Sequence, residues 1–228
     1  MRRRYVRVTA TLGIAAVAII AAVVVHASRS AAPPDDVSLD RLEHYGRVPA
    51  FSLTERSGRH IGRDDLLGHV AVIDFIYTEC TETCPTQSLR FAQIQNRFAG
   101  VGDVRLVSIT VDPQHDTAEV LSRYAARYGA DERWWFLTGD RRDIYCLARD
   151  GFHLSVVDST EQRPSCGTAW RFGPPPAWAS HGSKGLIMHS ARLVLVDRKG
   201  EIRAYHLATE PDAGEKLEAN LRTLLAEK

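Results

Sequence analysis

Two hydrophobic periods alternate along the middle of the chain. Val70 to Ile76 is a near-continuous apolar run, the pattern of a strand buried on both faces, with Asp74 as its polar interruption. A lone acid in such a strand is expected to be a satisfied polar group. Leu89, Phe91, Ala92, Ile94 and Phe98 then recur at helical spacing up to Gly100, and Pro85 suits the first turn of that helix. Val104 to Val111 reads as a second strand ending at Asp112-Pro113. The next helix puts Val120, Leu121, Tyr124, Ala125 and Tyr128 on one face, with Asp116 and Glu119 forming a start that resembles a capping box. Trp134 to Thr138 is a third strand. Asp140 opens a helix carrying Ile144, Leu147 and Ala148 that ends before Gly151.

Leu193 to Val196 and Ile202 to His206 flank Asp197-Arg198-Lys199-Gly200, a hairpin signature, and Leu217, Leu221, Leu224 and Leu225 give a closing amphipathic helix. A short hairpin is predicted around Ser57-Gly58. Between His153 and Gly185 the pattern breaks, and Pro174-Pro175-Pro176 with several glycines marks a long insert before the C-terminal hairpin. Loops of that length in compact domains are usually functional or mobile. The order of elements predicts an α/β fold with helices on both faces of a sheet. A cysteine pair after its first core strand points to a thioredoxin-like fold.

The N-terminus has a different pattern. Arg2, Arg3, Arg4 and Arg7 precede an uncharged, mostly apolar run from Val8 to Val25, near the lower limit for a membrane-crossing helix. Only Arg29 follows soon after, so the positive-inside rule puts the N-terminus in the cytoplasm and the body in the periplasm or another extracytoplasmic space. Val25-His26-Ala27 is a poor small-x-small cleavage site, which favours a retained single-pass anchor over a removed signal peptide. The expected organisation is an anchor over residues 1–28, a small, polar, proline-bearing tether over 29–47 and the folded domain over 48–228.

Composition changes this picture in one respect. The 228 residues are 44% hydrophobic and 25% charged, enough for one domain with an ordinary core. The formal charge of +1 hides an asymmetry. Five of the 29 basic residues and none of the 28 acidic ones precede residue 31, so the body carries 24 against 28, a net of −4. No basic face suggests a nucleic-acid partner.

The candidate chemistry is at Cys80 and Cys84, at the turn from the first core strand into the first helix. Thiolates at a helix N-terminus are stabilised by unpaired amides and the dipole, which lowers a cysteine pKa. Positions i and i+4 share a helix face, so if the first turn is helical both sulfurs can serve one spot as a redox pair or as ligands for a soft metal, copper above all. A third donor would come from a histidine. His189 stands immediately before a core strand, where a thioredoxin-like sheet brings its loop to the active-site end. His153 and His181 border the insert, His206 ends a hairpin strand, His44, His60, His69 and His115 lie at polar turns, and His26 borders the anchor. Cys146 and Cys166 form a candidate structural disulfide pinning the insert, which export permits; otherwise Cys146 is a small core residue and Cys166 an exposed thiol. Asp112 and Asp116 are expected to be a strand-end turn and a helix cap, with contact to the metal face as the alternative reading. Thr81 and Cys84 echo the peroxiredoxin threonine and cysteine, but Tyr77 stands where that motif wants proline.

The sequence resembles the Sco/SenC family, membrane-anchored thioredoxin-fold copper proteins that help assemble the copper A centre of cytochrome c oxidase. The resemblance covers about residues 48–226. It is carried by Phe75 to Pro85 with its CxxxCP spacing, by Ser108-Ile109-Thr110-Val111-Asp112-Pro113 with Asp116-Thr117, and by His189-Ser190. Thr81 replaces the usual proline after the first cysteine, Glu82 stands where aspartate is common, and the insert containing Cys166 is unusually bulky. The resemblance implies a metallochaperone holding Cu(I) or Cu(II) through Cys80, Cys84 and His189. Its partners would be oxidase subunit II or a similar copper-accepting client, a copper donor and a thiol reductant. The alternative from another class is a thiol–disulfide oxidoreductase acting on an exported client, which needs Cys80 and Cys84 but not His189.

Overall fold

The computed structural model describes residues 38–158, 166 and 187–227. Its strands are β1 (Gly46–Arg47), β2 (Ser52–Glu55), β3 (His60–Gly62), β4 (Val70–Ile76), β5 (Val104–Thr110), β6 (Trp134–Thr138), β7 (Val156–Asp158), β8 (Ile187–His189), β9 (Arg192–Val196) and β10 (Glu201–Leu207). The helices are α1 (Thr83–Arg97), α2 (Ala118–Arg127), α3 (Arg141–Cys146) and α4 (Ala213–Ala226). Eight strands form one sheet in the order β1-β10-β9-β4-β5-β6-β2-β3, and β7 pairs with β8 separately.

The three strands read from apolar runs are the parallel centre, β4 beside β5 beside β6. Every residue of β4 is buried, as a strand covered on both faces requires. One face carries α1 and α2. There Phe91 meets Trp134 at 5.5 Å between ring centroids, Trp134 stacks on Phe136 at 5.0 Å, and the Ser88 and Tyr124 hydroxyls join the two helices at 2.9 Å. On the other face Phe75 packs edge-on against Phe152 at 5.6 Å. Each such fully buried side chain contributes about 1.5–3 kcal/mol relative to exposure. Beyond α3 the chain continues as one π turn, Leu147–Gly151, into His153, whose φ is 53°.

Two features place the candidate site. The parallel strands all finish at one end of the sheet, where the β4–α1 and β5–α2 loops lie side by side. Strand β9 runs antiparallel to β4, with Ile73 opposite Val194, so its first residue Arg192 lies at that same end. The backbone of His189 therefore enters the sheet from the end at which the cysteine turn leaves it.

The folded unit starts at Leu39 rather than at Val48. Residues 39–47, expected as tether, run along β10 and include the edge strand β1: Tyr205 N–H donates to Leu39 O at 2.7 Å, and Glu43 and Tyr45 N–H donate to the Arg203 and Ile202 carbonyls at 2.9 Å. Lys216 of α4 adds an ion pair to Asp40 at 2.7 Å. Backbone pairing on an open sheet edge needs no apolar side chains, so a polar stretch can occupy it. The expected anchor lies outside the described residues, among which no helix is long and apolar enough to cross a membrane. Most of the 153–185 insert, with His181, lies outside them as well.

Candidate metal centre

Strand β4 ends at Ile76, whose carbonyl accepts from Val111 N–H at 2.8 Å. The chain then turns through Tyr77–Glu82, with Cys80 N–H donating to Tyr77 O at 3.2 Å, before α1 begins at Thr83. Cys80 thus stands outside the helix and Cys84 inside its first turn, not both within one helical turn as the spacing suggested. The N-cap residue Glu82 makes no side-chain cap bond. Instead Cys84 N–H donates to Cys80 Sγ at 3.4 Å. A sulfur does here what an N-cap oxygen does elsewhere, accepting from an amide that the helix leaves unpaired. Both cysteines are thiols and both are buried, Cys80 7% exposed and Cys84 fully enclosed.

Burial reverses the expected acidity of Cys84. Its thiol is pushed well above the ordinary cysteine value by desolvation first, then by its hydrogen bond to Cys80, the charge of Cys80 and the nearby Asp74 carboxyl. The helix start does not offset that loss of solvent. Tyr77, buried beside both sulfurs, is likewise held in its phenol form by desolvation and by Cys80 and Cys84. The environment resists uncompensated negative charge, so a thiolate there needs a cation to accompany it.

Asp74 makes this sharper, and it is not the satisfied group expected of it. Its carboxyl oxygens are buried with no partner in bonding geometry. Desolvation raises its pKa from 3.8 to about 7, and the neighbouring Ser108 hydroxyl, its register partner, offsets only part of this. That hydroxyl accepts from Trp134 Nε1 at 3.0 Å, which leaves its own proton to point towards Asp74. Thr83 Oγ1 and both polar atoms of the fully enclosed Gln87 are also unpartnered. Such groups are uncommon because each costs about 1–3 kcal/mol. Sequence reasoning passed over Gln87 and read Tyr77 only as a departure from the peroxiredoxin pattern. The available signal was a glutamine on the apolar face of α1, one turn after Cys84.

The β5–α2 loop borders the same turn. Asp112 is half-buried, with its pKa raised by desolvation and then by Asp116. Asp116 is fully buried and does not cap α2: Thr117 does, accepting from Val120 N–H at 3.4 Å. His115 bridges Asp116 at 3.0 Å and Glu79 at 3.4 Å. Two other described histidines lie away from this turn. His206 is buried against Asn220 at 3.2 Å beneath the 39–47 segment, and His44 pairs with Glu201 at 2.7 Å. Among the described residues no group of three or more His, Cys, Asp and Glu side chains is arranged to hold a metal ion. The described residues bring together Cys80 and Cys84; for His189 they give the backbone position in β8, opposite Val156. Cys146, at the end of α3, is joined to Cys166 by a disulfide with a Cα–Cα distance of 5.6 Å.

A family profile described as SCO1/SenC matches residues 40–226. The SCO1 protein homolog of Bacillus subtilis is 33% identical over 94 residues, 40% of this chain and 49% of that protein. The human mitochondrial SCO1 homolog is 28% identical over 116 residues, 48% of this chain and 38% of that protein. The chain spans half or less of the length of these curated relatives. A SCO1/SenC family lipoprotein from Bacillus anthracis superposes with a TM-score of 0.64 at 24% identity, covering 79% of this chain and 96% of that one. Bradyrhizobium japonicum ScoI, solved with copper bound, gives 0.59 at 20% identity over 78% and 99%. BsSco, described as a cytochrome c oxidase assembly protein with a disulfide switch, gives 0.62 at 23% over 82% and 97%. The architecture is the mixed α/β, thioredoxin-like fold of these structures.

Proposed function

The chain belongs to the SCO1/SenC family, and from that premise we propose that it carries copper to the copper A centre of a cytochrome c oxidase, with Cys80, Cys84 and His189 as ligands. The observation that carries this reading is the buried thiol pair, linked by the Cys84 N–H to Cys80 Sγ bond of 3.4 Å. Two sulfurs in apolar surroundings suit a soft ion. Cys84 gives up its proton reluctantly, so the proton leaves when a cation takes its place, and loading releases acid. With an imidazole as third donor the set is two thiolates and one neutral ring, neutral overall with Cu(II) and singly negative with Cu(I).

The same pair supplies the gate. Oxidation of Cys80 and Cys84 to a disulfide removes two electrons and two protons and leaves no thiolate to bind metal. A reductant must return them before copper can enter. We place the domain outside the cytoplasm, held to a bacterial-type inner membrane by residues 8–25, with oxidase subunit II or a similar protein as client. Copper titration of the reduced full chain tests the assignment. One equivalent should bind with a thiolate-to-copper charge-transfer band, and His189→Ala should weaken binding and move the band. An unchanged affinity and spectrum in His189→Ala would remove the third ligand.

A second reading is favoured by the closeness of the two thiols: a thiol–disulfide oxidoreductase that reduces the client's cysteines. Its mark would be normal reduction of a client peptide by His189→Ala.

A further inference from the structure

We propose that Asp116 is a positioning residue for Cys80, fixing where one sulfur of the pair stands while α1 fixes the other; this rests on the reading of Cys80 and Cys84 as the working pair. The two loops at the site are joined residue to residue. Asp116 accepts from Thr78 N–H at 3.0 Å and from Thr78 Oγ1 at 2.5 Å. Next along, His115 Nε2 meets Glu79 Oε1 at 3.4 Å. The carboxylate is further held by Thr110 Oγ1 at 2.6 Å and His115 Nδ1 at 3.0 Å.

Asp116 is fully enclosed, and Thr117 performs the helix-capping task its position suggested. Its side chain instead ties Thr78 of the cysteine turn to Thr110 and His115. An enclosed acceptor whose oxygens take several hydrogen bonds at once holds each donor in place. One residue separates Thr78 from Cys80, so the backbone entering Cys80 is fixed from outside its own loop. Cys84 is placed by the first turn of α1, and its N–H bond to Cys80 Sγ ties the two positions together.

The consequence concerns the separation of the sulfurs. They must come to about 2.0 Å to close a disulfide and stand farther apart to share a metal ion. Asp116 holds one end of that movement and so biases the balance between the two states. The outer half of the clamp, between Glu79 and His115, joins side chains 47% and 44% exposed and contributes little beside the buried half.

The test uses the full chain as wild type, Asp116→Asn, Thr110→Val and Thr110→Ser, each first checked for folding by circular dichroism and thermal melting. The equilibrium Cys80–Cys84 disulfide plus two glutathione thiols to dithiol plus oxidised glutathione is then measured, together with the Cu(II) charge-transfer band. Asp116→Asn and Thr110→Val should move the equilibrium constant by about tenfold, or about 30 mV for this two-electron couple. Both should shift the band, and Thr110→Ser, which keeps the hydroxyl, should match wild type. Wild-type constants and bands in folded Asp116→Asn and Thr110→Val would overturn the proposal. If Asp116→Asn does not fold, the Thr110→Val and Thr110→Ser comparison decides by the same criterion. A wild-type chain that takes no copper refutes the copper reading, while the glutathione equilibrium still decides the positioning role.

Discussion

Asp74 gives the most quantitative consequence of the site. Its carboxyl is fully buried with a pKa raised from 3.8 to about 7. Below the lower value the acid is protonated whether the chain is folded or not. Between the two values the unfolded chain ionises and the folded one does not, so stability falls as pH rises, by about 1.36 kcal/mol per pH unit. Above about pH 7 the accumulated loss levels off at roughly 4 kcal/mol, a large share of the ~5–15 kcal/mol that holds a domain together. Asp74→Asn carries no charge in either state. Its amide also lacks partners in that pocket, at a cost of about 1–3 kcal/mol that does not vary with pH. Chemical denaturation of both proteins across this range, with the thiols kept reduced, isolates the effect in the difference between them. Wild type should lose roughly 4 kcal/mol relative to Asp74→Asn between about pH 4 and about pH 7.5. Parallel stability curves would refute the burial argument for this carboxyl and, with it, the view that the site resists negative charge.

Two further outcomes follow from other parts of the fold. Burial lowers the pKa of His206 from 6.5 to about 4, so its contribution is complete above the higher value and is lost as pH falls towards the lower. The loss is about 3 kcal/mol, and His206→Gln should not show it when denaturation midpoints are compared across that interval. The disulfide of Cys146 with Cys166 closes a loop of sequence separation 20. Replacing both cysteines by serine should lower stability by about 3 kcal/mol on the chain-entropy scale, read from a urea midpoint, and leave copper binding unchanged.

The central strands were legible because a strand covered on both faces must be apolar throughout, and Val70–Ile76 is apolar but for Asp74. The cysteine turn was legible for a related reason: its spacing and the following proline are local. What failed was whatever depended on partners distant in sequence. The acidity expected of Cys84 followed from its helix start, but its enclosure beside Cys80, Tyr77 and Asp74 decides the matter. Asp116 read as a helix cap because an acid ahead of a helix usually is one. Its actual partner Thr78 lies 38 residues back in the chain. Residues 39–47 read as tether because they pair through backbone atoms, which leave no mark on side-chain patterning. Asp74 read as satisfied because nothing in a sequence records a missing partner.

The central claim is that two thiolates and one imidazole of this chain hold copper together. X-ray absorption at the copper edge of the reduced, copper-loaded full chain addresses it directly. The predicted result is two sulfur neighbours and one imidazole nitrogen, with the nitrogen lost in His189→Ala and a sulfur lost in Cys84→Ser. A copper environment lacking the two sulfurs, or one identical in wild type and His189→Ala, would contradict it.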